Sequence, residues 1–237
     1  MSDKLPKAIL FDLDETIVEY PTTRESWHSI LEEFQEELQG NEIAKMVDWL
    51  SAYTDWYWSD PDRNSRSRLD MATARAEIAA AALVEYAIAD DGLSTRIGHM
   101  LNHRRNSGAT LYEGALETIV ALGRRGVKIA LVTNGHSTVQ REKIVRFELG
   151  DHFAHIQIES EFGFGKPDER VFRHVLKMLD VDAADAWMVG DNLEWDVRGP
   201  QRVGIYSIWF DPRLTGLPAE TDILPDRIIH RLSELIE

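Results

Sequence analysis

Hydrophobic positions follow a helical period through the first part of the chain. From Thr22 to about His103, apolar residues recur every three or four positions, and strand-like alternation is nearly absent. Thr22 and Glu25 have the spacing of a capping box, which marks the start of the first predicted helix. The apolar face of that helix would consist of Trp27, Ile30, Leu31, Phe34 and Leu38.

Further helices are predicted in the same region. A second helix carries Ile43, Met46, Val47 and Leu50, an alanine-rich helix covers Met71 to Ala89, and a short helix carries Leu93, Ile97 and Leu101. Pro61 and Asn64 should break the helical pattern after the second of these helices. The region as a whole is therefore predicted to be a helical domain.

The pattern changes after Gly108, where helical and strand-like segments alternate as far as Ile229. This alternation is typical of βαβ units and a parallel sheet. Short apolar runs at residues 127–132 and 186–190 are two of the predicted strands, and the early run at residues 7–11 must join the same sheet. We therefore predict an α/β fold, a Rossmann-like parallel sheet with helices on both faces, plus an inserted helical domain.

The domain boundaries follow from the same change of pattern. Residues 1–19 and 108–237 would form the α/β core, and residues 20–107 would form the helical insertion. The chain shows no internal repeat and no low-complexity linker apart from the alanine-rich run. The insertion would therefore leave the core at its first crossover connection.

Two carboxylates follow the first predicted strand. Alternation along a strand would point Asp12 and Asp14 to the same side, and ligands of open α/β sheets bind beyond the carboxyl ends of the strands. Two other interpretations are a strand-ending Asx-turn and a calcium loop. A calcium loop would need Gly at its sixth position and Glu at its twelfth, where Ile17 and Thr23 stand.

A second strand end carries hydroxyl and amide groups, at Thr133 and Asn134. The pair Asn134-Gly135 is a common hairpin turn, but a helical pattern follows it. Ser137 and Gln140 have capping-box spacing, so a strand-to-helix crossover fits better. The Thr133 hydroxyl would then lie beside a helix N-terminus.

Two further segments supply a lysine and another pair of carboxylates. Lys166 lies just before a predicted helix, for which Asp168 is the expected N-cap. The strand at residues 186–190 ends at Gly190, which allows a tight turn, and leads into Asp191 and Asp196. Four strand ends or loops thus carry groups suited to phosphate or metal.

In this order, the four segments resemble the motifs of the haloacid dehalogenase superfamily, and the resemblance spans nearly the whole chain. The helical region corresponds to the cap that its phosphatase branch places between the first and second motifs. The segment from Gly204 to Phe210, followed by Asp211 and Pro212, resembles small-metabolite phosphatases. That group includes phosphoglycolate, acylneuraminate 9-phosphate and nucleotide phosphatases. The resemblance implies a magnesium-dependent phosphatase for a small phosphate monoester.

The resemblance also implies roles for the carboxylates. Asp12 would attack phosphorus and form an aspartyl-phosphate, and Asp14 would protonate the leaving group and then activate water. Mg²⁺ would neutralise the charge between nucleophile and phosphate. Its implied ligands are Asp12, the backbone carbonyl of Asp14, Asp191, and Asp196 either directly or through water.

The remaining implied residues contact the phosphoryl group. Thr133 and Asn134 would donate hydrogen bonds to its oxygens, and Lys166 would offset developing charge and orient Asp12. A sugar-phosphate mutase shares both aspartates and is the nearest alternative, whereas a haloacid dehalogenase needs no acid at Asp14 and no magnesium. A catalytically silent binding or regulatory module is the non-enzymatic alternative, and the complete residue set argues against it.

Composition limits the partners and the setting. The 237 residues are 43% hydrophobic with no apolar stretch of membrane-spanning length, and Met-Ser-Asp-Lys at the N-terminus does not begin a signal peptide. We therefore expect a cytoplasmic protein with no membrane partner.

The absence of cysteine excludes disulfides and thiolate chemistry. The net charge of −15 argues against a nucleic-acid polymer and leaves a small phosphorylated metabolite as partner, with a monomer or weak homodimer as the expected assembly.

One aromatic cluster permits two interpretations. Trp49, Tyr53, Trp56 and Tyr57 share a helical face in the predicted insertion. We interpret this cluster as part of the packed interior of the helical domain, because aromatic side chains supply much of the buried area of a small core. Stacking on a base or a sugar is the alternative.

Overall fold

The computed structural model describes residues 5–237. Met-Ser-Asp-Lys, in which we find no start of a signal peptide, lies outside the described residues. The described chain divides into two compact units, one made of residues 5–19 and Thr110–Glu237 and the other of Tyr20–Ala109. Within the same range, no helix has both the length and the apolar character needed to cross a bilayer.

The second unit is helical. Its helices are α1 (Thr23–Glu33), α2 (Ile43–Ser59), α3 (Pro61–Ser67), α4 (Met71–Glu85) and α5 (Leu93–Gly108). The predicted capping box of α1 is present, because Glu25 N donates to Thr22 Oγ1 at 3.2 Å and Thr22 N donates to Glu25 Oε2 at 2.9 Å. The fourth helix ends before Ala89, and the fifth is longer than the short helix predicted.

The prediction that Pro61 and Asn64 break the helical pattern was wrong in one respect. Helix α2 does end at Ser59, but both residues lie inside the additional helix α3. Pro61 occupies the first turn, where a missing N–H is tolerated, and the Asp60 carboxylate accepts a hydrogen bond from Arg63 N at 2.7 Å. The Asp60 cap and the proline in the first turn therefore stabilise a helix that has almost no apolar face.

A close helix contact marks the interior of this unit. A Cβ added at Gly98 on α5 would lie 2.3 Å from the backbone nitrogen of Ala76 on α4, so the two backbones meet there without a side chain between them. In the aromatic cluster, Tyr57 is buried, and Trp49 and Tyr53 pack against the core. Trp56 is 55% exposed, so the cluster is interior only in part.

The first unit is built on a parallel sheet. The strands of this unit are β1 (Ala8–Phe11), β2 (Val18–Glu19), β3 (Thr110–Leu111), β4 (Lys128–Thr133), β5 (His155–Ile158), β6 (Ala186–Gly190), β7 (Tyr206–Phe210) and β8 (Arg227–Ile229). Among residues 5–237, six of them form one sheet in the order β5-β4-β1-β6-β7-β8, and every neighbouring pair is parallel. The predicted Rossmann-like α/β fold class is confirmed.

Helices flank this sheet. They are α6 (Ala115–Arg124), α7 (Ser137–Arg146), α8 (Glu159–Phe162), α9 (Glu169–Leu179) and α10 (Gly199–Gln201). Successive residues of β4 point to opposite faces: Ala130 packs in a cluster with the buried side of α9, whereas a Cβ at Gly123 of α6 would contact Ile129. The Asp168 carboxylate accepts from Arg170 N at 2.9 Å, which confirms the predicted N-cap of α9.

The sheet order reverses at β1, which pairs with β4 on one side and with β6 on the other. Phe11, the last residue of β1, lies opposite Leu131 and Val189 in the two registers. The carboxyl ends of the three strands therefore meet at one edge. This position is the topological switch point, where open α/β sheets bind ligands.

The same unit contains a small antiparallel ribbon. Strand β2 pairs with β3, with Val18 opposite Leu111 and Glu19 opposite Thr110. The chain passes from β2 into the helical unit and returns from it directly into β3. The ribbon thus joins the two points at which the α/β unit is interrupted.

Candidate active site

Asp12 stands at the switch point because it directly continues β1. Its backbone N–H donates to Val189 O at 3.0 Å, which extends the pairing with β6 by one residue. The side chain is buried at the sheet edge. A carboxylate is therefore held rigidly at the point where β1, β4 and β6 end.

Two more carboxylates converge on Asp12. Asp191 follows β6, and Asp196 lies in a wide helical turn at Leu193–Arg198. One ligand oxygen from each of these three carboxylates lies within 4.8 Å of the others. Asp12, Asp191 and Asp196, three of the four acidic residues predicted for the site, are thus brought into one group.

Gly190 permits the approach of Asp196. A Cβ at this glycine would lie 2.3 Å from the Asp196 Cγ, so any other residue would displace the carboxylate. Asn192 N donates to Asp196 Oδ2 at 3.1 Å, which also holds this side chain in place. Gly190 is the last residue of β6 and does not have the positive φ of a glycine turn, so its lack of a side chain matters here for space.

Lys166 lies between two of the carboxylates. Its Nζ is 2.8 Å from Asp12 Oδ1 and 2.6 Å from Asp196 Oδ1, and none of its side chain is exposed. Its backbone is held by Asn134, since Lys166 N donates to Asn134 Oδ1 at 2.7 Å and Asn134 Nδ2 donates to Lys166 O at 3.0 Å. Asn134, predicted to bind substrate, here uses its amide group to fix Lys166.

Asp14 is positioned by a closed turn between β1 and β2. Val18 N donates to Leu13 O at 2.8 Å, and Glu15 N donates back to Val18 O at 2.7 Å. Glu15 takes a left-handed conformation with φ of 58° to complete the turn. Asp14 is therefore held near Asp12 but in a more exposed position.

Two residues that the sequence did not indicate contact the Asp14 carboxylate. Lys143 Nζ is 2.6 Å from Asp14 Oδ1, and Gln140 Nε2 donates to Asp14 Oδ2 at 2.9 Å. The predicted capping box between Ser137 and Gln140 was wrong: His136 is the N-cap of α7, and Gln140 is buried. The sequence indicated only that Gln140 and Lys143, three residues apart, would share one face of a helix.

Thr133 is the buried last residue of β4. Its Oγ1 accepts a hydrogen bond from Gln140 Nε2 at 3.0 Å and donates to Asn134 O at 3.3 Å. Gln140 thereby connects Thr133 with Asp14. The predicted site residues thus fall into two groups, one around Lys166 and one around Gln140. Asn134 contacts both central residues and so links the groups.

Burial dominates the electrostatics of the carboxylates. It raises the pKa of Asp12 to about 7, with the charge of Lys166 opposing and that of Asp196 adding to the rise. Burial also raises the pKa of Asp191 well above its usual value, and the neighbouring Asp12 adds to this effect. Burial alone would lower the pKa of Lys166, but Asp12 and Asp196 outweigh it, so the pKa is raised.

The charges of this group fit a divalent cation. Three carboxylates and one ammonium leave two negative charges in excess when all are ionised. A closely spaced set of carboxylate oxygens is the ligand type that magnesium prefers. A bound cation would also favour the ionised carboxylates that burial disfavours. The group can therefore hold a metal such as Mg²⁺.

Known proteins with similar sequences include phosphatases. Phosphoserine phosphatase of Thermus thermophilus is 40% identical over 125 residues, which cover 53% of this chain and 49% of that protein. The chain thus spans about half the length of that relative. Glyceraldehyde 3-phosphate phosphatase of Methanopyrus kandleri is 26% identical over 98% of this chain and 96% of its own.

One solved structure resembles this chain in its fold. HAD-hydrolase YfnB of Bacillus subtilis has a TM-score of 0.75 and 24% identity, and the alignment covers 98% of this chain and 97% of that one. The sequence profile of the haloacid dehalogenase-like hydrolases matches residues 6–204. The resemblance inferred from the four motifs is confirmed, and the chain belongs to the haloacid dehalogenase-like hydrolase family.

Proposed function

We propose that this protein is a magnesium-dependent phosphatase that hydrolyses a small phosphate monoester through an aspartyl-phosphate on Asp12. The observation that carries the proposal is the group of Asp12, Asp191 and Asp196 around Lys166 at the switch point, with a fourth carboxylate on Asp14. Two relatives that are phosphatases of small phosphorylated metabolites support the same chemistry.

Asp12 is the proposed nucleophile. Its oxygen attacks phosphorus in line while the bond to the ester oxygen breaks, and the phosphoryl group moves to the carboxylate. Lys166 contacts the same carboxylate and keeps it oriented, and its ammonium offsets charge that develops in the transition state. The Thr133 hydroxyl, at the end of the neighbouring strand, would hydrogen-bond the phosphoryl oxygens.

The metal site would use Asp12, Asp191, the backbone carbonyl of Asp14, and Asp196 directly or through water. When bound, Mg²⁺ supplies the positive charge that lets a carboxylate approach a phosphate dianion. The excess negative charge of the three-carboxylate group supports this assignment.

Asp14 is the proposed acid and base. It donates its proton to the leaving oxygen in the first half-reaction and takes a proton from the attacking water in the second. A dehalogenase would release halide, which needs no proton, so Asp14 together with the metal-type carboxylates favours phosphate esters. Its position beside Asp12, in the turn that follows β1, supports this role.

The helical unit is the proposed cap. We infer that residues 20–107 serve as a substrate-selecting domain, and that the catalytic core consists of residues 1–19 and 108–237. The compact helical unit at Tyr20–Ala109 supports the division. We further propose a small phosphorylated metabolite as substrate, a cytoplasmic location, and a monomer or weak homodimer.

A magnesium-dependent activity screen tests the proposed function. The purified protein should hydrolyse an aryl phosphate and some members of a panel of phosphorylated metabolites when MgCl₂ is present. Excess EDTA should abolish the release of phosphate, and excess MgCl₂ should restore it. Turnover that continues unchanged in EDTA would contradict the proposal.

A further inference from the structure

Helix α7 presents two polar side chains to Asp14. Gln140 and Lys143 are three residues apart, so they lie on one face of the helix. Each contacts a different oxygen of the carboxylate: Lys143 Nζ lies 2.6 Å from Oδ1 and Gln140 Nε2 lies 2.9 Å from Oδ2. Two donors from one rigid element therefore fix both ends of the Asp14 carboxylate.

The burial of these residues points to a role other than core packing. Gln140 is only 3% exposed, and within residues 5–237 its Oε1 is buried without a hydrogen-bond partner. An unsatisfied buried acceptor destabilises a fold. The side chain of Lys143 is 12% exposed, whereas that of Asp14 is 32% exposed. An apolar residue at position 140 would avoid this cost.

Gln140 also reaches the end of β4. Its Nε2 lies 3.0 Å from Thr133 Oγ1 and 2.5 Å from Asn134 O. One amide group therefore connects Asp14 to the hydroxyl that would bind the phosphoryl oxygens. A general acid must lie within hydrogen-bond reach of the atom that it protonates, so this connection bears directly on proton transfer.

We propose that Gln140 and Lys143 are positioning residues that hold the Asp14 carboxylate for proton transfer, and that Gln140 sets its place relative to Thr133. This inference rests on the proposed phosphatase function. In the step concerned, an Asp12 oxygen bonds to phosphorus as the bond between phosphorus and the ester oxygen breaks, and the ester oxygen receives the proton of Asp14. Gln140 and Lys143 neither gain nor lose a proton.

The first test compares leaving groups. Gln140→Met and Lys143→Met keep side-chain length but remove the donors, and Lys177→Met, on an exposed position of α9, is the matched control. Quenched-flow measurement of the first turnover should show a loss of about tenfold or more on an alkyl phosphate, which needs the acid. The loss on an aryl phosphate should be less than about threefold, because its phenolate leaves without being protonated.

The control and the conservative variant sharpen this test. Lys177→Met should behave as wild type on both esters, and Lys143→Arg, which keeps a cationic donor, should recover most of the alkyl rate. Equal losses on the two esters, or a raised KM with unchanged kcat, would overturn the proposal, because they would indicate a structural or substrate-binding role.

The second test does not depend on activity. Crystal structures of Gln140→Met and Lys143→Met should show the Asp14 carboxylate rotated away from its wild-type position or spread over several rotamers. An unchanged Asp14 in both variants would overturn the proposal. A wild-type protein that hydrolyses neither ester would instead remove the proposed phosphatase function, so the two failures are distinguishable. Lys143 is partly exposed, so its variant should fold even if Gln140→Met does not.

Discussion

Asp12 is a buried carboxyl group whose ionised form is unfavourable without a bound cation. Its pKa is near 3.8 in an unfolded chain and is raised to about 7 by burial. Between these pH values the folded protein holds a proton that the unfolded chain lacks. The free energy of unfolding of the metal-free protein should therefore fall as the pH rises through this window.

Asp12→Asn should remove this penalty together with the nucleophile. In EDTA at pH 8, we expect the variant to have a higher melting temperature than wild type. The difference between the two melting temperatures should shrink as the pH is lowered toward 5. Phosphate release in MgCl₂ should fall by about a thousandfold or more. Differential scanning calorimetry and a phosphate assay measure the two effects, and Asp55→Asn on an exposed position of α2 is the control. A variant that is less stable at pH 8 would contradict the sign.

Asp14→Asn should separate the two half-reactions. An aryl phosphate can phosphorylate Asp12 without an acid, whereas an alkyl phosphate cannot. The variant then lacks the base for hydrolysis of the aspartyl-phosphate. We expect a rapid burst of phenol equal to the enzyme concentration, followed by slow turnover, and almost no reaction with the alkyl ester. Stopped-flow comparison with wild type measures the burst; equal losses on both esters without a burst would show that Asp14 acts mainly as a structural or metal-binding group.

At the level of residues, the sequence was informative where a polar group directly follows a strand. Asp12 and Asp191 could be placed at one site because parallel strands end at the same edge of a sheet. Gln140 and Lys143 could not, because a helix position alone does not show which neighbour a side chain faces. The Asn134 contacts with the Lys166 backbone depend on a loop conformation that has no sequence period.

At the level of elements, α4 and α5 approach closely because Gly98 carries no side chain. Gly98→Ala places a Cβ against the Ala76 backbone and should lower the free energy of unfolding by about 1–3 kcal/mol. Gly123→Ala on α6 is the matched control, since its Cβ would meet only Ile129 at 3.9 Å. That change should be neutral or stabilise by up to about 1 kcal/mol, because alanine favours helix. Urea denaturation followed by circular dichroism measures both, and equal effects would refute the close-contact explanation.

Elements with an apolar period were predictable, and elements formed by local capping were not. The buried face of α9 follows from the spacing of Val171, Phe172 and Val175. Helix α3 has the sequence PDRNSRS and buries only Asn64, so its sequence has no hydrophobic period from which the helix could be predicted. The ribbon strands β2 and β3 contain two residues each, which is too short for alternation to be visible.

At the level of the whole molecule, the parallel sheet follows from the alternation of elements, but its order depends on side-by-side pairing. Short motifs after the strands indicated which strand ends carry site residues, but the position of β1 between β4 and β6 was not predicted. The pairing of β7 with β8 at the edge depends on the residue contacts of a three-residue strand. Long-range pairing of such short strands leaves no pattern in the local sequence.

The ribbon makes a deletion of the helical unit testable. Glu19 pairs with Thr110, so a two-residue Asn-Gly turn could join them in place of Tyr20–Ala109. The shortened protein should fold with its parallel sheet and keep magnesium-dependent hydrolysis of an aryl phosphate. It should lose discrimination among phosphorylated metabolites. Circular dichroism and the metabolite panel measure these outcomes, and an unfolded product would show that the α/β unit requires the insertion.

The pairing of β2 with β3 also bears on how such a protein can evolve. Because the chain departs and returns through adjacent residues of one ribbon, an ancestral gene could gain, lose or exchange the insertion without rerouting any strand of the sheet. Under the proposed function, new substrates could then be acquired by recombination at the ribbon, while the inherited chemistry of Asp12 and Lys166 is left untouched.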